Sequence, residues 1–229
     1  MNPNDIFIFA LRQFQNPNLQ KEFRPINRTL GFDHIYVIHL DYRTDRFARL
    51  NEISSYLGLD FDYFPAVSKY DEQFLRRFGT ADMDFSQKAC FLSHYLVYNQ
   101  IIDKGYNSTL ILEDDVDFEL NITAIMNDIH HDLPSSWETL FVGTCQEREF
   151  LVGERVGKSS SLHKLYTALS TMCMHAYAVS YSGVRKIVEL LDPVTPYATD
   201  NPSDIPGSWE TFHNLYNSTL RFLGHNGTN

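Results

Sequence analysis

The sequence predicts an α/β layer fold built on a mostly parallel central sheet. Three observations carry this. Short apolar, β-branched runs of strand length recur along the chain, amphipathic segments at three-to-four spacing separate them, and two strands run straight into dense polar segments. Strands alternating with helices favour parallel pairing in one sheet, and an open parallel sheet holds its ligands beyond the carboxyl ends of its strands.

In chain order, residues 1–32 read as a polar lead-in punctuated by Pro3, Pro17 and Pro25, and residues 33–229 as a single domain. His34–Leu40 (HIYVIHL) has the length and β-branching of a strand. Residues 44–57 place Phe47, Leu50, Ile53 and Leu57 on one helical face,. Phe61–Val67 reads as a second strand, and residues 86–104 as a helix with Phe91, Tyr95, Tyr98 and Ile102 on its apolar stripe. Gly105 follows that helix as a C-cap,. Thr109–Leu112 is a buried strand leading into Glu113-Asp114-Asp115, residues 121–131 a helix, and Glu138–Val142 a further strand. Periodicity lapses over 145–170, where two glycines and a serine run predict a loop over a site,. His175–Ser180 is strand-like, and Ser182–Leu191 is a helix capped by Ser180 or Ser182,.

The chain of 229 residues, 43% hydrophobic and 21% charged, has ordinary globular composition,. Its formal charge of −10 argues against a nucleic-acid binder, which needs a basic face for the phosphates,. Cys90, Cys145 and Cys173 are widely spaced with no CxxC pair, so they are expected to form neither a zinc site nor a disulfide framework; they read as buried small residues with room for one bridge,. No apolar run approaches the ~20 residues that span a bilayer, and MNPNDIFIFALRQF has no basic region of the signal-peptide kind,. Asn-x-Ser/Thr acceptors occur at Asn27, Asn107, Asn121, Asn217 and Asn226. About two would arise by chance under the acceptor rule, so the excess points to a secretory lumen, the ER or Golgi.

Two strand ends carry the chemistry. After HIYVIHL comes Asp41-Tyr42-Arg43-Thr44-Asp45-Arg46, which lacks the glycines of a dinucleotide or P-loop turn,. Arg43 and Arg46 can meet a nucleotide's phosphate or base at a helix N-terminus, and Asp45 a ribose hydroxyl. The alternative is a helix start laced with salt bridges. After TLIL comes Glu113-Asp114-Asp115-Val116-Asp117, four carboxylates in five residues. Their mutual repulsion is costly without a cation among them, and oxygen donors suit Mg2+ or Mn2+. Strand alternation would turn Glu113 and Asp115, and likewise Asp115 and Asp117, to one side. The bland reading is an acidic solvated turn. His94 lies mid-helix among apolar neighbours, the usual setting of a hydrogen-bonded core histidine, and His130-His131 reads as a solvated helix end.

With these segments in place, the chain resembles glycosyltransferase family 25. The resemblance runs through IYVIHLDYRTDRFARL (35–50), FDYFPAV (61–67), KACFLSHYLVYNQII (88–102), LILEDDV (110–116), LPSSWETLFVG (133–143) and HAYAVSYSGVRKIVELL (175–191), and it covers roughly residues 30–200. Ala89 departs from the family's usual glycine, and Val184 after Gly183 from its alanine. The resemblance implies a GT-A type, Rossmann-like nucleotide-sugar transferase fold, a UDP-sugar donor (most often UDP-galactose), a Mn2+ or Mg2+ ion, a glycan or glycoprotein acceptor, and inversion at the anomeric carbon. It places Arg43, Asp45 and Arg46 at the donor turn, Ala66 and Val67 at the second strand end, and Ser93 and His94 on the helix. Glu113, Asp114 and Asp115 become the metal motif, with Asp114 facing the donor and Asp117 extending the metal set.

Inversion also needs a base for the acceptor hydroxyl. Of the acids beyond 145–170, Asp192 precedes Pro193 as a stop signal, while Asp200 and Asp204 flank Pro202 in a turn-rich segment, and Asp200 is the expected base. Two other readings compete. A phosphohydrolase of the haloacid dehalogenase type would place its nucleophile directly after the strand, where Glu113 stands instead. A catalytically inactive nucleotide-sugar-binding relic of the same fold would bind the donor without turnover.

Overall fold

The computed structural model describes residues 27–76, 83–143, 153–156, 163–168 and 173–191. Asp200, Asp192 and Asp204, and the acceptors Asn217 and Asn226, lie outside them. Its elements in chain order are β1 (His34–His39), α1 (Thr44–Leu57), β2 (Asp62–Pro65), α2 (Glu72–Leu75), α3 (Phe85–Lys104), β3 (Ser108–Glu113), α4 (Ile122–Asp132), β4 (Thr139–Phe141), β5 (Arg155–Val156), β6 (Leu165–Tyr166), β7 (Ala176–Ser180) and α5 (Tyr181–Leu191). The central sheet has the order β2-β1-β3-β7-β4. β1 pairs in parallel with both β2 and β3, and β7 runs antiparallel between β3 and β4. This is the mostly parallel α/β sheet expected.

Helices cover both faces. On one, Ile35, Val37, Leu110 and Leu112 pack with Leu50 of α1 and with Ile122, Ile125, Met126 and Ile129 of α4. On the other, Tyr36, Ile38, Ile111, Tyr177 and Val179 meet Val97, Tyr98 and Ile101 of α3 and Val184, Ile187 and Leu191 of α5. Burial on both faces explains why the strands read as continuous apolar runs. At roughly 1.5–3 kcal/mol for each large apolar side chain removed from water, these two clusters dominate the folding energy.

The helix ends follow local sequence. Asp84 and Gln87 form a reciprocal capping box at the start of α3,, and Gly105 closes it at φ 69°, a left-handed position that glycine adopts freely,. In α5 the Ser180 hydroxyl accepts from the Gly183 N–H, so Ser180 is the cap. A Cβ on Gly183 would stand 2.2 Å from the Glu138 carbonyl oxygen, which fixes glycine where α5 crosses the approach to β4.

Several expectations need correction. Residues 27–32 are part of the domain, because Leu30 and Phe32 are buried in the first cluster. The buried face of α3 is rotated from the predicted stripe: Leu92, Ser93, His94, Val97, Tyr98 and Ile101 are buried, while Phe91, Tyr95 and Ile102 flank them. The 145–170 segment contains the small antiparallel pair β5–β6. Cys90 is an exposed free thiol, while Cys173 is disulfide-bonded. His130 is not solvated: its Nε2 donates to the Leu30 carbonyl at 2.9 Å and its ring meets Phe32 edge-on. No helix among the described residues is long and apolar enough to cross a membrane. The acceptors Asn27, Asn107 and Asn121 all sit at exposed positions.

Candidate functional site

Parallel pairing brings the predicted strand ends to one edge of the sheet. The register sets His39 beside Pro65 and Ile38 beside Glu113. The 40–46 turn, Ala66–Val67 and the Glu113–Asp117 segment are therefore neighbours. Because β7 is antiparallel, its start lies at the same edge, with Ala176 opposite Leu112 and the Glu113 N–H bonded to the His175 carbonyl.

Two hubs organise this edge, one on each face of β3. On the α1 side, buried Asp114 accepts from His39 Nδ1 at 3.1 Å and from the Leu40 N–H at 3.4 Å, and it pairs with the Arg46 guanidinium. Arg46 also reaches Asp115 at 3.2 Å. Arg46 thus ties the 40–46 turn to the acidic segment, and Arg49 adds a 2.6 Å bond to the Val116 carbonyl. Arg43 turns instead to Asp45, with two bonds of 2.9 and 2.8 Å at the surface. That hydrogen bond holds the Asp45 carboxyl well below the usual carboxylate range. The helix-start salt bridges weighed from sequence are therefore present.

On the α3 side, Glu113 faces His94, with Oε1 3.4 Å from Nε2. Burial opposes charge on His94, but hydrogen bonds and charge from Cys90 and Glu113 overcome it and push its pKa up to about 9. Burial likewise opposes charge on Glu113, and the bond to His94 reverses that, lowering its pKa. His94 Nδ1 lies 2.8 Å from the Tyr177 hydroxyl, which lies 2.6 Å from that of Tyr98. Burial raises the Tyr177 pKa well above its ordinary value, keeping it a neutral hydroxyl,. His94 is thus the satisfied core histidine that sequence favoured, yet its other nitrogen faces the site.

Strand alternation does not extend from Glu113 to Asp115. β3 stops at Glu113 and the chain turns at Asp114–Asp115, so Glu113 meets His94 while Asp115 meets Arg46. Among the described residues, the potential ligand atoms gathered within 4.8 Å of one another are those of Cys90, His94 and Glu113. Asp115 keeps 43% of its side chain exposed, and exposed Asp117 accepts from the Phe118 N–H. Asp115 and Asp117 offer oxygen donors only, the donor type that a hard divalent ion takes.

Ser93 is buried, its hydroxyl donating to the Ala89 carbonyl and accepting the Val67 N–H at 2.9 Å, while the Ala66 N–H bonds the His39 carbonyl. Ser93 thereby pins the second strand end to α3. Sequence reading missed His39, whose signal was its place at the inward end of a buried strand, and Cys90, whose signal was its spacing of four from His94.

The chain matches the model of glycosyltransferase family 25 (LPS biosynthesis protein) over residues 32–202. It is 26% identical over 178 residues to a glycosyltransferase 25 family member of Aedes aegypti, covering 70% of this chain and 28% of that protein. With procollagen galactosyltransferase 1 of Danio rerio it shares 26% identity over 177 residues, 69% of this chain and 29% of the relative. With the inactive glycosyltransferase 25 family member 3 of Homo sapiens it shares 27% over 191 residues, 72% and 30% respectively. The chain spans under a third of the length of these relatives.

Proposed function

The chain belongs to glycosyltransferase family 25, and from that premise we propose that it transfers a hexose, galactose first among candidates, from a UDP-sugar to a glycan or glycoprotein acceptor. The observation that carries this reading is the joining of the donor turn to the acidic segment through Arg46, at the carboxyl edge of three parallel strands. Such an edge is where open α/β sheets take nucleotides.

In this reading Asp115 and Asp117 would hold Mn2+ or Mg2+, which would supply positive charge against the leaving diphosphate. Glu113, drawn to His94, backs the segment rather than facing the ion. Asp114 does not touch donor; it orients Arg46 and His39 from a buried position. Arg43 and Asp45, paired at the surface, exchange their mutual bonds for the phosphate and ribose of the nucleotide. Ala66 and Val67 line the second strand end, held by Ser93. Attack by the acceptor from the face opposite the leaving group inverts the anomeric carbon, with Asp200 proposed as the base that takes the acceptor proton. The secretory lumen is the proposed setting, supported by the exposed Asn27, Asn107 and Asn121 acceptors and by the disulfide at Cys173, which persists in oxidising compartments,.

Asp115→Asn removes one ligand charge at nearly constant shape, so UDP-sugar turnover with Mn2+ should fall by at least ~100-fold with the melting temperature held, as loss of a transition-state charge contact of several kcal/mol requires. Full turnover in that variant, or in EDTA, sinks the metal assignment. A second reading, a donor-binding protein without turnover, draws on the similarity to an inactive human relative. It predicts UDP binding by calorimetry with no UDP-sugar hydrolysis in the unmodified chain.

A further inference from the structure

We propose that Cys90, His94 and Glu113 form a second cation site, suited to a borderline-soft divalent ion such as Zn2+, that fastens α3 to the carboxyl end of β3. The three donor atoms lie within 4.8 Å of one another. Cys90 and His94 are four residues apart in the unbroken α3 helix and so stack on one face a turn apart,. Glu113 arrives from a different element, as the last residue of β3. The site therefore bridges two elements that meet at the functional edge.

The spacing is compatible with ligands of one ion. Two ligands at 2.0–2.1 Å from zinc in a tetrahedral arrangement stand about 3.3 Å apart, and His94 Nε2 is 3.4 Å from Glu113 Oε1. A metal-bound histidine ordinarily uses its second ring nitrogen to donate to a fixed partner, which sets the tautomer. Here Nδ1 is 2.8 Å from the buried Tyr177 hydroxyl, itself 2.6 Å from that of Tyr98. This chain of hydroxyls leaves Nε2 as the ligating nitrogen. Cys90 is exposed, so an ion enters from solvent and a water completes four-coordination. On binding, the thiol proton, and that of Nε2 where present, leave to solvent.

The donor set separates this site from the donor-side acids. Thiolate and imidazole select zinc or cobalt, whereas carboxylates alone select magnesium or manganese. Asp115 and Asp117 contribute no sulfur or nitrogen. Arg46, not His94, is the partner that Asp115 meets. A filled second site would hold Glu113 and the β3 end in place without touching the sugar donor, so it does not depend on the transferase reading.

The test uses the full chain without reductant, so that the disulfide at Cys173 is kept, with Co2+ as the spectroscopic probe. The expected result is one equivalent of Co2+ giving a near-ultraviolet thiolate-to-cobalt charge-transfer band that Zn2+ bleaches, and slower alkylation of Cys90 in Zn2+. Cys90→Ser should abolish the band, and since this side chain is exposed the fold should survive, as a thermal melt will show. Tyr177→Phe, which keeps the ring but removes the hydroxyl behind Nδ1, should weaken Co2+ binding by about 10–100-fold. Asp115→Asn should leave the band intact while abolishing Mn2+-dependent turnover, so the two metal assignments fail separately. Absence of the band in the unaltered chain, its persistence in Cys90→Ser, or its loss in Asp115→Asn would overturn the proposal.

Discussion

Replacing Arg46 by methionine tests whether the buried carboxylate beside it is the hub of the edge. The substitution keeps most of the apolar stem and removes the guanidinium. Asp114 has only 5% of its side chain exposed and would keep the His39 ring and a long 3.4 Å bond from Leu40. Breaking a fully buried pair by removing one partner costs 3–5 kcal/mol, while exposed pairs are worth less than about 1 kcal/mol. Arg46 is 28% exposed, and the two remaining donors soften the loss, so roughly 2–3 kcal/mol is expected. For a domain of this size that corresponds to a melting temperature lower by about 4–12 °C, from 2–4 °C per kcal/mol. Urea unfolding should show the loss as a lower midpoint at unchanged slope. In the cycle with Asp114→Asn, the double variant should be less destabilised than the sum of the singles by more than about 0.5 kcal/mol, since contacting residues are not additive. A stability change within about 0.5 kcal/mol for Arg46→Met, together with weakened UDP binding, would refute this reasoning and make Arg46 a free donor ligand.

Gly183→Ala places a methyl 2.2 Å from the Glu138 carbonyl oxygen, so α5 must shift; overpacking of this kind predicts a loss of about 1–3 kcal/mol in urea unfolding, and wild-type stability would show that the contact relaxes freely. The pKa of His130 is lowered because burial outweighs its bond to Leu30. The unfolded chain therefore binds the proton first as pH falls: the contribution is complete above about 6.5, the ordinary histidine value, and is lost as pH drops through the lower folded value. His130→Gln should remove that acid-side slope, and parallel stability curves between pH 7 and 5 would contradict it.

The two strand ends bearing the site were legible in the sequence because buried parallel strands are continuous apolar runs and the polar residues that follow them stand out. So were α1 and the C-terminal end of α3, where Gly105 acts on local backbone; the Asp84–Gln87 capping box at its start was read only in the structure. Which way each acid points was not legible. Period-two alternation predicts direction only while a strand continues, and β3 ends at Glu113, so the next two residues follow the turn. The helix α2 was missed because four residues carry too little periodicity to be read. Composition alone indicated that the chain can form a core, and its net acidity argued against a nucleic-acid partner. Local pattern determined the alternation of strand and helix and the positions of the charged turns. Only the tertiary structure decided that Arg46 belongs to Asp114, 68 residues away, and that Glu113 belongs to His94. The reason is physical: a charge's partner depends on what lies within a few ångströms in space, and strand register and helix rotation, rather than sequence spacing, fix that neighbourhood.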